Sequence, residues 1–132
     1  MKKLLYAIAL CLVPTGVELF IDYQFYWVRA VADNHILTAL FRVAFMLALS
    51  ALNNTVKFWQ SLLLTFSFHL LFFPIQYNLV VIHQPFDFLG TTAWSDVVEQ
   101  KIRDVISTPG VLFFKIALFM SAVKFYVNPK VR

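Results

Sequence analysis

Hydrophobic and polar positions alternate along this chain in long blocks. Four blocks are apolar and long enough for a helix to cross the hydrocarbon core of a bilayer, which takes about 20 residues: residues 4–23, 36–52, 56–73 and 110–127. Short polar links join the first three blocks, and short links between helices make neighbouring helices antiparallel. The pattern predicts an all-α membrane protein, a single integral membrane domain over residues 1–132 that forms a four-transmembrane-helix bundle.

The one long connection, residues 83–108, separates the third and fourth predicted spans. Its first half is rich in turn-forming residues. Its second half has apolar residues at helical spacing, including Val98, Ile102 and Val105. We therefore expect an outer loop followed by a short amphipathic helix, over residues 96–107, that lies on the membrane surface.

Two other stretches have patterns with more than one interpretation. Lys2 and Lys3 precede an apolar run, as in a secretion signal, but no small-x-small cleavage site follows them. We expect this run to be retained as the first span. After Pro74, residues 75–82 are rich in β-branched side chains, which fits either a kinked continuation of the third helix or an extended interfacial strand. The sequence leaves that choice open.

Composition supports a membrane protein and excludes a soluble one. Hydrophobic residues make up 61% of the chain, charged residues only 14%, and the mean hydropathy is +0.75, whereas about a quarter of the residues of soluble domains are charged. The formal charge is +4, but the basic residues are scattered and form no stripe for a phosphate backbone, so we expect no nucleic-acid partner.

Cys11 is the only cysteine, and we expect it to be a small buried hydrophobic residue.

Charge asymmetry predicts the orientation in the membrane. With four spans, the side of both chain termini receives six basic residues and no acidic one, and the opposite side receives all seven acidic residues. Lysine and arginine near the ends of spans are retained on the cytoplasmic side. We expect a protein of the inner or plasma membrane with cytoplasmic N and C termini.

Each predicted span contains one ionisable residue at a similar depth. Glu18, Arg42, His69 and Lys115 each lie about five to seven residues below the outer end of their span, or roughly 7 to 11 Å. Asp22 lies one turn from Glu18 on the same helix face. Because a charge in hydrocarbon costs at least about 2.5 to 3.5 kcal/mol, such side chains face the bundle interior and pair. These five residues form the candidate site.

Two interpretations of this polar layer remain open. In the first it is a packing device: Glu18 and Arg42 form an ion pair, His69 makes an interhelical hydrogen bond, and Lys115 extends to the headgroups. In the second, Arg42 and Lys115 outnumber Glu18 and hold the phosphate or carboxylate of a lipid headgroup or small anion. Glu18 or His69 would then serve in proton transfer.

A metal site is a further hypothesis. His69, His83 and Asp87 offer imidazole and carboxylate ligands suited to zinc or iron. However, the two histidines lie 14 residues apart and Pro85 interrupts a helix between His83 and Asp87, so the spacing matches no ligand motif. No motif of a catalytic nucleophile is present, and the sequence predicts neither a catalytic residue nor a cofactor.

The leading functional hypothesis is a non-enzymatic membrane component. Small size, 15 phenylalanines and the lack of a catalytic motif favour a protein that associates with itself as a homo-oligomer, or with other membrane subunits, among membrane lipids. The alternative is an enzyme or carrier that binds an anionic lipid headgroup or small anion at Arg42, Lys115, His69 and Glu18. An ion pathway is a third possibility, but polar residues are expected only in the outer halves of the spans.

Overall fold

Every regular element of the described structure is helical, which confirms the predicted all-α class. The computed structural model describes residues 1–24, 35–85 and 94–128. The elements in chain order are α1 (Lys2–Tyr23), α2 (His35–Leu52), α3 (Phe58–Gln76), a π-helical turn (Tyr77–Val81) and α4 (Trp94–Val127). The turn-rich half of the predicted outer loop, residues 86–93, lies outside the described residues.

Three helical segments of the described chain are long and apolar enough to cross a membrane. They are Lys2–Tyr23, Phe58–Val81 and Asp96–Val127. In α2 the residues described with their side chains, Leu40–Leu52, form a further apolar stretch. The first, third and fourth predicted spans are thereby supported, and α2 adds another apolar helix to the bundle.

The helix α3 lies at the centre of the bundle and contacts α1, α2 and α4, and α1 also packs on α2. The start of α1 meets the end of α4, where Lys3 Nζ donates a hydrogen bond to the Val127 carbonyl at 2.9 Å. The start of α3 meets the same end, where Gln60 Nε2 donates to the Phe125 carbonyl at 2.7 Å. Among the described helices, α1 and α3 therefore run in one direction and α4 in the other.

The apolar core lies toward the end of the bundle that contains the N terminus. Leu10, Leu64 and Tyr126 are its buried members, one each from α1, α3 and α4. Cys11 is a free thiol, partly buried against this cluster. The cysteine thus contributes to packing, in agreement with its sequence environment.

Further along α3 from this core, phenylalanine rings pack α3 against α4. The Phe68 and Phe72 rings lie 4.6 Å apart between centroids, and Phe119 of α4 meets them edge-on at 5.8 and 5.7 Å. Edge-to-face contacts at these distances are the geometry that aromatic quadrupoles favour.

A proline in the middle of α1 produces a contact with α3. Pro14 has no N–H, so the Leu10 carbonyl, four residues earlier, loses its usual donor within the helix. The Thr65 hydroxyl of α3 donates to that carbonyl at 2.5 Å, and Thr65 is buried. A neighbouring helix therefore satisfies the backbone group that the proline leaves free, as membrane helices commonly require.

We expect Thr65→Val to lower the free energy of unfolding by about 1 kcal/mol, because it keeps the side-chain shape and removes the donor to Leu10. Pro14→Ala restores the backbone donor, so in that background the same change should have little effect. Reversible unfolding of the four proteins in mixed detergent micelles measures both values. An equal loss in the two backgrounds would show that the hydroxyl does not replace the missing N–H.

The ambiguous stretch after Pro74 is helical. The helix α3 continues through Pro74 to Gln76, and a single π-helical turn extends it to Val81. The helical stretch ends at Val81. Beyond it, the Gln84 amide donates to the Asn78 carbonyl at 2.8 Å, and His83 has a φ of 52°. The apolar helix that contains the third predicted span therefore continues past residue 73 to Val81. A helical continuation replaces the alternative of an interfacial strand.

The predicted amphipathic helix and the predicted fourth span are two helical parts of α4, and they meet at a kink. Ser107 has φ 66° and ψ 162°, which interrupts the helical conformation, and Pro109 follows in the first turn after the break. The position of the break agrees with the sequence pattern. The sequence pattern did not predict that the two parts would be joined without a loop. One residue, Ser107, is enough to change the direction of the chain. We call residues 94–106 the amphipathic segment of α4.

Candidate functional site

Glu18, Arg42 and His69 meet between α1, α2 and α3, and we call them the Glu18 cluster. The Arg42 guanidinium forms an ion pair with the Glu18 carboxylate, and His69 Nε2 lies 3.7 Å from the second carboxylate oxygen. Glu18 and His69 are buried, whereas the Arg42 side chain is partly exposed. The structure thus brings together three of the five residues of the predicted site.

An aromatic side chain that the sequence analysis missed holds two members of this cluster. The Phe73 ring stacks on the His69 imidazole, with centroids 4.6 Å apart and an angle of 20° between the planes. The Arg42 guanidinium carbon lies 5.3 Å from the centroid of the same ring, within the range of a cation–π contact. The spacing of four residues between His69 and Phe73 is the signal that would have placed them on one helix face.

Several buried polar atoms near the Glu18 cluster have no hydrogen-bond partner within the described residues. They are His69 Nδ1, Arg42 Nε and the hydroxyl of Thr15, which lies one turn before Glu18 on α1. Buried polar atoms normally bind protein or ordered water. Each of these three atoms could therefore take a hydrogen bond from or to a water molecule.

Asp22, the fourth predicted member, is buried on α1 one turn beyond Glu18. Both carboxylates therefore lie on the inward face of this helix, as their spacing predicts.

Lys115, the fifth predicted member, pairs elsewhere. Its Nζ lies 2.7 Å from Glu99 Oε2, and the other oxygen of Glu99 accepts a hydrogen bond from Arg103 Nη2 at 2.8 Å. We call these three residues the Glu99 cluster. Among the described residues Lys115 has no ion pair with the Glu18 cluster, so the predicted site divides into two groups, each with a carboxylate of its own.

The Glu99 cluster explains why Lys115 is tolerated within an apolar helix. The kink at Ser107 brings Glu99 to the Lys115 ammonium, whereas the packing interpretation had this side chain extend to the headgroups. Both cations of the polar layer, Arg42 and Lys115, thus have a carboxylate partner. The anion-binding interpretation, which depends on an excess of positive charge, stays a prediction.

The proposed metal ligands are in different surroundings. His69 is buried and His83 is exposed, and Asp87 lies outside the described residues. No group of three or more histidine, cysteine, aspartate and glutamate side chains that could hold a metal ion occurs in the described part of the chain. The metal hypothesis therefore also stays a prediction.

A third polar cluster lies at the opposite end of the bundle. Asn53 Nδ2 donates to Ser61 Oγ at 2.9 Å and to the Tyr126 hydroxyl at 3.1 Å, while its Oδ1 accepts from the Thr55 hydroxyl at 2.7 Å. The Tyr126 hydroxyl in turn donates to the Lys3 carbonyl at 3.0 Å. We call this the Asn53 cluster. It connects the α2–α3 link with α1, α3 and α4.

Sequence reasoning missed the Asn53 cluster because it treated the link between the second and third spans only as a short polar connection. The expectation that polar residues occupy only the outer halves of the spans is wrong, since Gln60, Ser61 and Thr65 are buried in the first half of α3. Their amide and hydroxyl groups were the available signal. Such groups commonly join membrane helices through hydrogen bonds.

Comparisons with protein-family models, with curated proteins and with solved structures find no match to this chain.

Proposed function

We propose that this protein is a non-enzymatic structural component of a membrane, built as a bundle of four transmembrane helices. The observation that carries the proposal is that both cations of the polar layer form ion pairs within the protein. Arg42 pairs with Glu18 on a neighbouring helix, and Lys115 pairs with Glu99 across a kink. Charged groups committed in this way stabilise the arrangement of helices, and they are less available as a nucleophile or ligand.

The length of α2 supports its role as the fourth span. It has 18 residues, which at 1.5 Å per residue cover about 27 Å, close to the roughly 30 Å of a hydrocarbon core. Arg42 would be unfavourable in lipid alone, but it has a carboxylate partner on α1. With four spans, the distribution of lysine and arginine favours cytoplasmic N and C termini.

Exposed small residues favour self-association. Ala44, Ala48 and Ala51 lie on one exposed face of α2, at the spacing of successive helical turns. Small residues four positions apart allow the backbones of two membrane helices to approach closely, which is how many such helices associate. We propose that this face of α2 packs against a second copy of the chain or against another membrane subunit.

Native mass spectrometry in a mild detergent tests this proposal. We expect the unaltered protein in more than one copy or with a copurifying subunit, and we expect Ala44→Leu with Ala48→Leu to shift it to monomers. Val43→Leu is the matched control, because it changes an exposed α2 position that is already large and should leave the assembly intact. Isolated monomers of the unaltered protein, in detergent and after cross-linking in vesicles, would refute the proposal.

A further inference from the structure

We infer that the amphipathic segment of α4 is an interfacial helix whose stripe of Val98, Ile102 and Val105 is embedded in the acyl chains of one leaflet. The inference needs the chain to be in a membrane, and it does not depend on self-association. Its basis is the way in which the segment distributes its side chains among three different surroundings.

The polar side of this segment faces the protein. Glu99 contacts Lys115 of the spanning part of α4 and also pairs with Arg103 of its own segment. The side chains of Glu99, Arg103 and Lys115 are only 19%, 15% and 10% exposed. A helix on the surface of a water-soluble protein has the opposite arrangement, with its apolar side against the core and its charges outside. Here the ion pairs attach the segment to the protein and leave its apolar side uncovered.

The uncovered apolar side is a continuous stripe. Val98, Ile102 and Val105 are spaced four and three residues apart, which places them on one face, and they are 37%, 45% and 83% exposed. The stripe has the same character as the exposed apolar surface of the spanning part of the helix, where Phe113 and Phe114 are among the most exposed side chains. Exposed apolar surface of this kind is suited to contact with lipid.

The length of α4 after the kink indicates the depth of this stripe in the bilayer. Residues 108–127, after the kink, cover about 30 Å at 1.5 Å per residue, which is the thickness of a hydrocarbon core. The residues before Ser107 therefore have no further core to cross. They leave the span at the level of the interface, where a helix that lies along the membrane surface places its apolar face among the upper parts of the acyl chains.

A third side of the segment is open and carries Gln100, Asp104 and the exposed Val97. Gln100 and Asp104 are exposed and hydrogen-bond to each other at 3.2 Å. At 100° per residue they lie on the far side of the helix from Val98 and Ile102. One side of this helix thus faces the protein, a second faces lipid and a third faces water.

Lys101 favours lipid over a second copy of the chain as the occupant of the stripe. It is exposed and lies beside Val98 and Val105 on the helix surface. A lysine beside an apolar stripe can extend its ammonium to phosphate headgroups while its methylene groups cover hydrocarbon. In a two-fold contact between identical stripes, the same ammonium would be brought toward its own copy, which is unfavourable.

Site-directed spin labelling tests the inference. In a Cys11→Ala background, a nitroxide is attached at Val98→Cys, at Val105→Cys or, as control, at Gln100→Cys, and each protein is placed in vesicles of phosphatidylcholine and phosphatidylglycerol. Collisions with oxygen, which concentrates in lipid, are compared with collisions with a water-soluble nickel complex. We expect oxygen to dominate at 98 and 105 and nickel to dominate at 100.

Two results would overturn the inference. Labels at 98 and 105 that meet the nickel complex as readily as the label at 100 would place the stripe in water. Labels shielded from both reagents, or broadened by a second spin, would place it against protein. Circular dichroism confirms that each variant retains its helices, and the two stripe positions provide independent measurements. The multimer measured by mass spectrometry is a separate result, so either proposal can fail alone.

Discussion

Glu18→Leu is expected to lower the free energy of unfolding by about 3 kcal/mol, and adding Arg42→Leu to the same chain is expected to restore most of that loss. Removing one partner of a buried ion pair costs about 3 to 5 kcal/mol, because the remaining charge stays in a poorly solvated place. The lower value applies here because the Arg42 side chain is 28% exposed. Replacing both partners with apolar residues leaves no unpaired charge, and such replacements are often neutral.

Reversible unfolding in mixed micelles of the two single variants, the double variant and the unaltered protein measures these values. Asp104→Asn removes a carboxylate at an exposed position of α4 and should change the free energy by no more than about 0.5 kcal/mol. If Glu18→Leu proved no less stable than the double variant, the pair would not be holding α1 against α2.

The same variants distinguish packing from anion binding. If Arg42 holds a lipid headgroup, Arg42→Leu should reduce the lipid retained in native mass spectra, and adding Glu18→Leu should not recover it. If Arg42 serves packing alone, retained lipid should be the same in all variants that fold.

Asn53→Ala is expected to cost about 2 to 3 kcal/mol of unfolding free energy, the second largest effect. Asn53 is 3% exposed, and its side chain supplies a donor to Ser61 and Tyr126 and an acceptor to Thr55. Each buried group left without a partner costs about 1 to 3 kcal/mol, and part of this is recovered because the Tyr126 hydroxyl still donates to the Lys3 carbonyl.

The neighbouring asparagine provides the control for this prediction. Asn54 is exposed, so Asn54→Ala should change stability by no more than about 0.5 kcal/mol. Tyr126→Phe removes one arm of the cluster and should cost less than Asn53→Ala, and the two changes should be less than additive because they remove a shared hydrogen bond. Equal effects of Asn53→Ala and Asn54→Ala would mean that the cluster does not stabilise the bundle.

The meeting of residues in the Glu18 cluster was predictable because an unpaired charge in lipid is energetically unfavourable. Glu18, Arg42 and His69 lie at similar depths in separate apolar blocks, and the cost of leaving them in hydrocarbon predicts that they meet. Lys115 met the same criterion of depth, yet it pairs with Glu99. Depth alone does not identify a partner, because a long side chain can reach a carboxylate on its own helix when a kink such as that at Ser107 turns the chain back.

The Asn53 cluster shows a different limit. A polar residue in a link between helices is expected to be exposed to solvent. Asn53 is instead buried, with hydrogen bonds to Ser61 of α3 and Tyr126 of α4. The role of Thr65 is similar: Pro14 indicates a free carbonyl in α1, but the donor that satisfies it depends on which residue of α3 lies opposite.

The amino-acid sequence by itself determined that this is a helical membrane protein and where its main apolar helices lie. Long apolar blocks can satisfy their backbone groups in lipid only as helices, and this constraint acts within each block. The tertiary structure alone decided which carboxylate each cation pairs with and that one residue, Ser107, separates the two helical parts of α4. It also decided that Asn53 joins α3 and α4 by hydrogen bonds at one end of the bundle. Those outcomes depend on the rotation and register of helices against one another, which the length and hydropathy of a block do not specify.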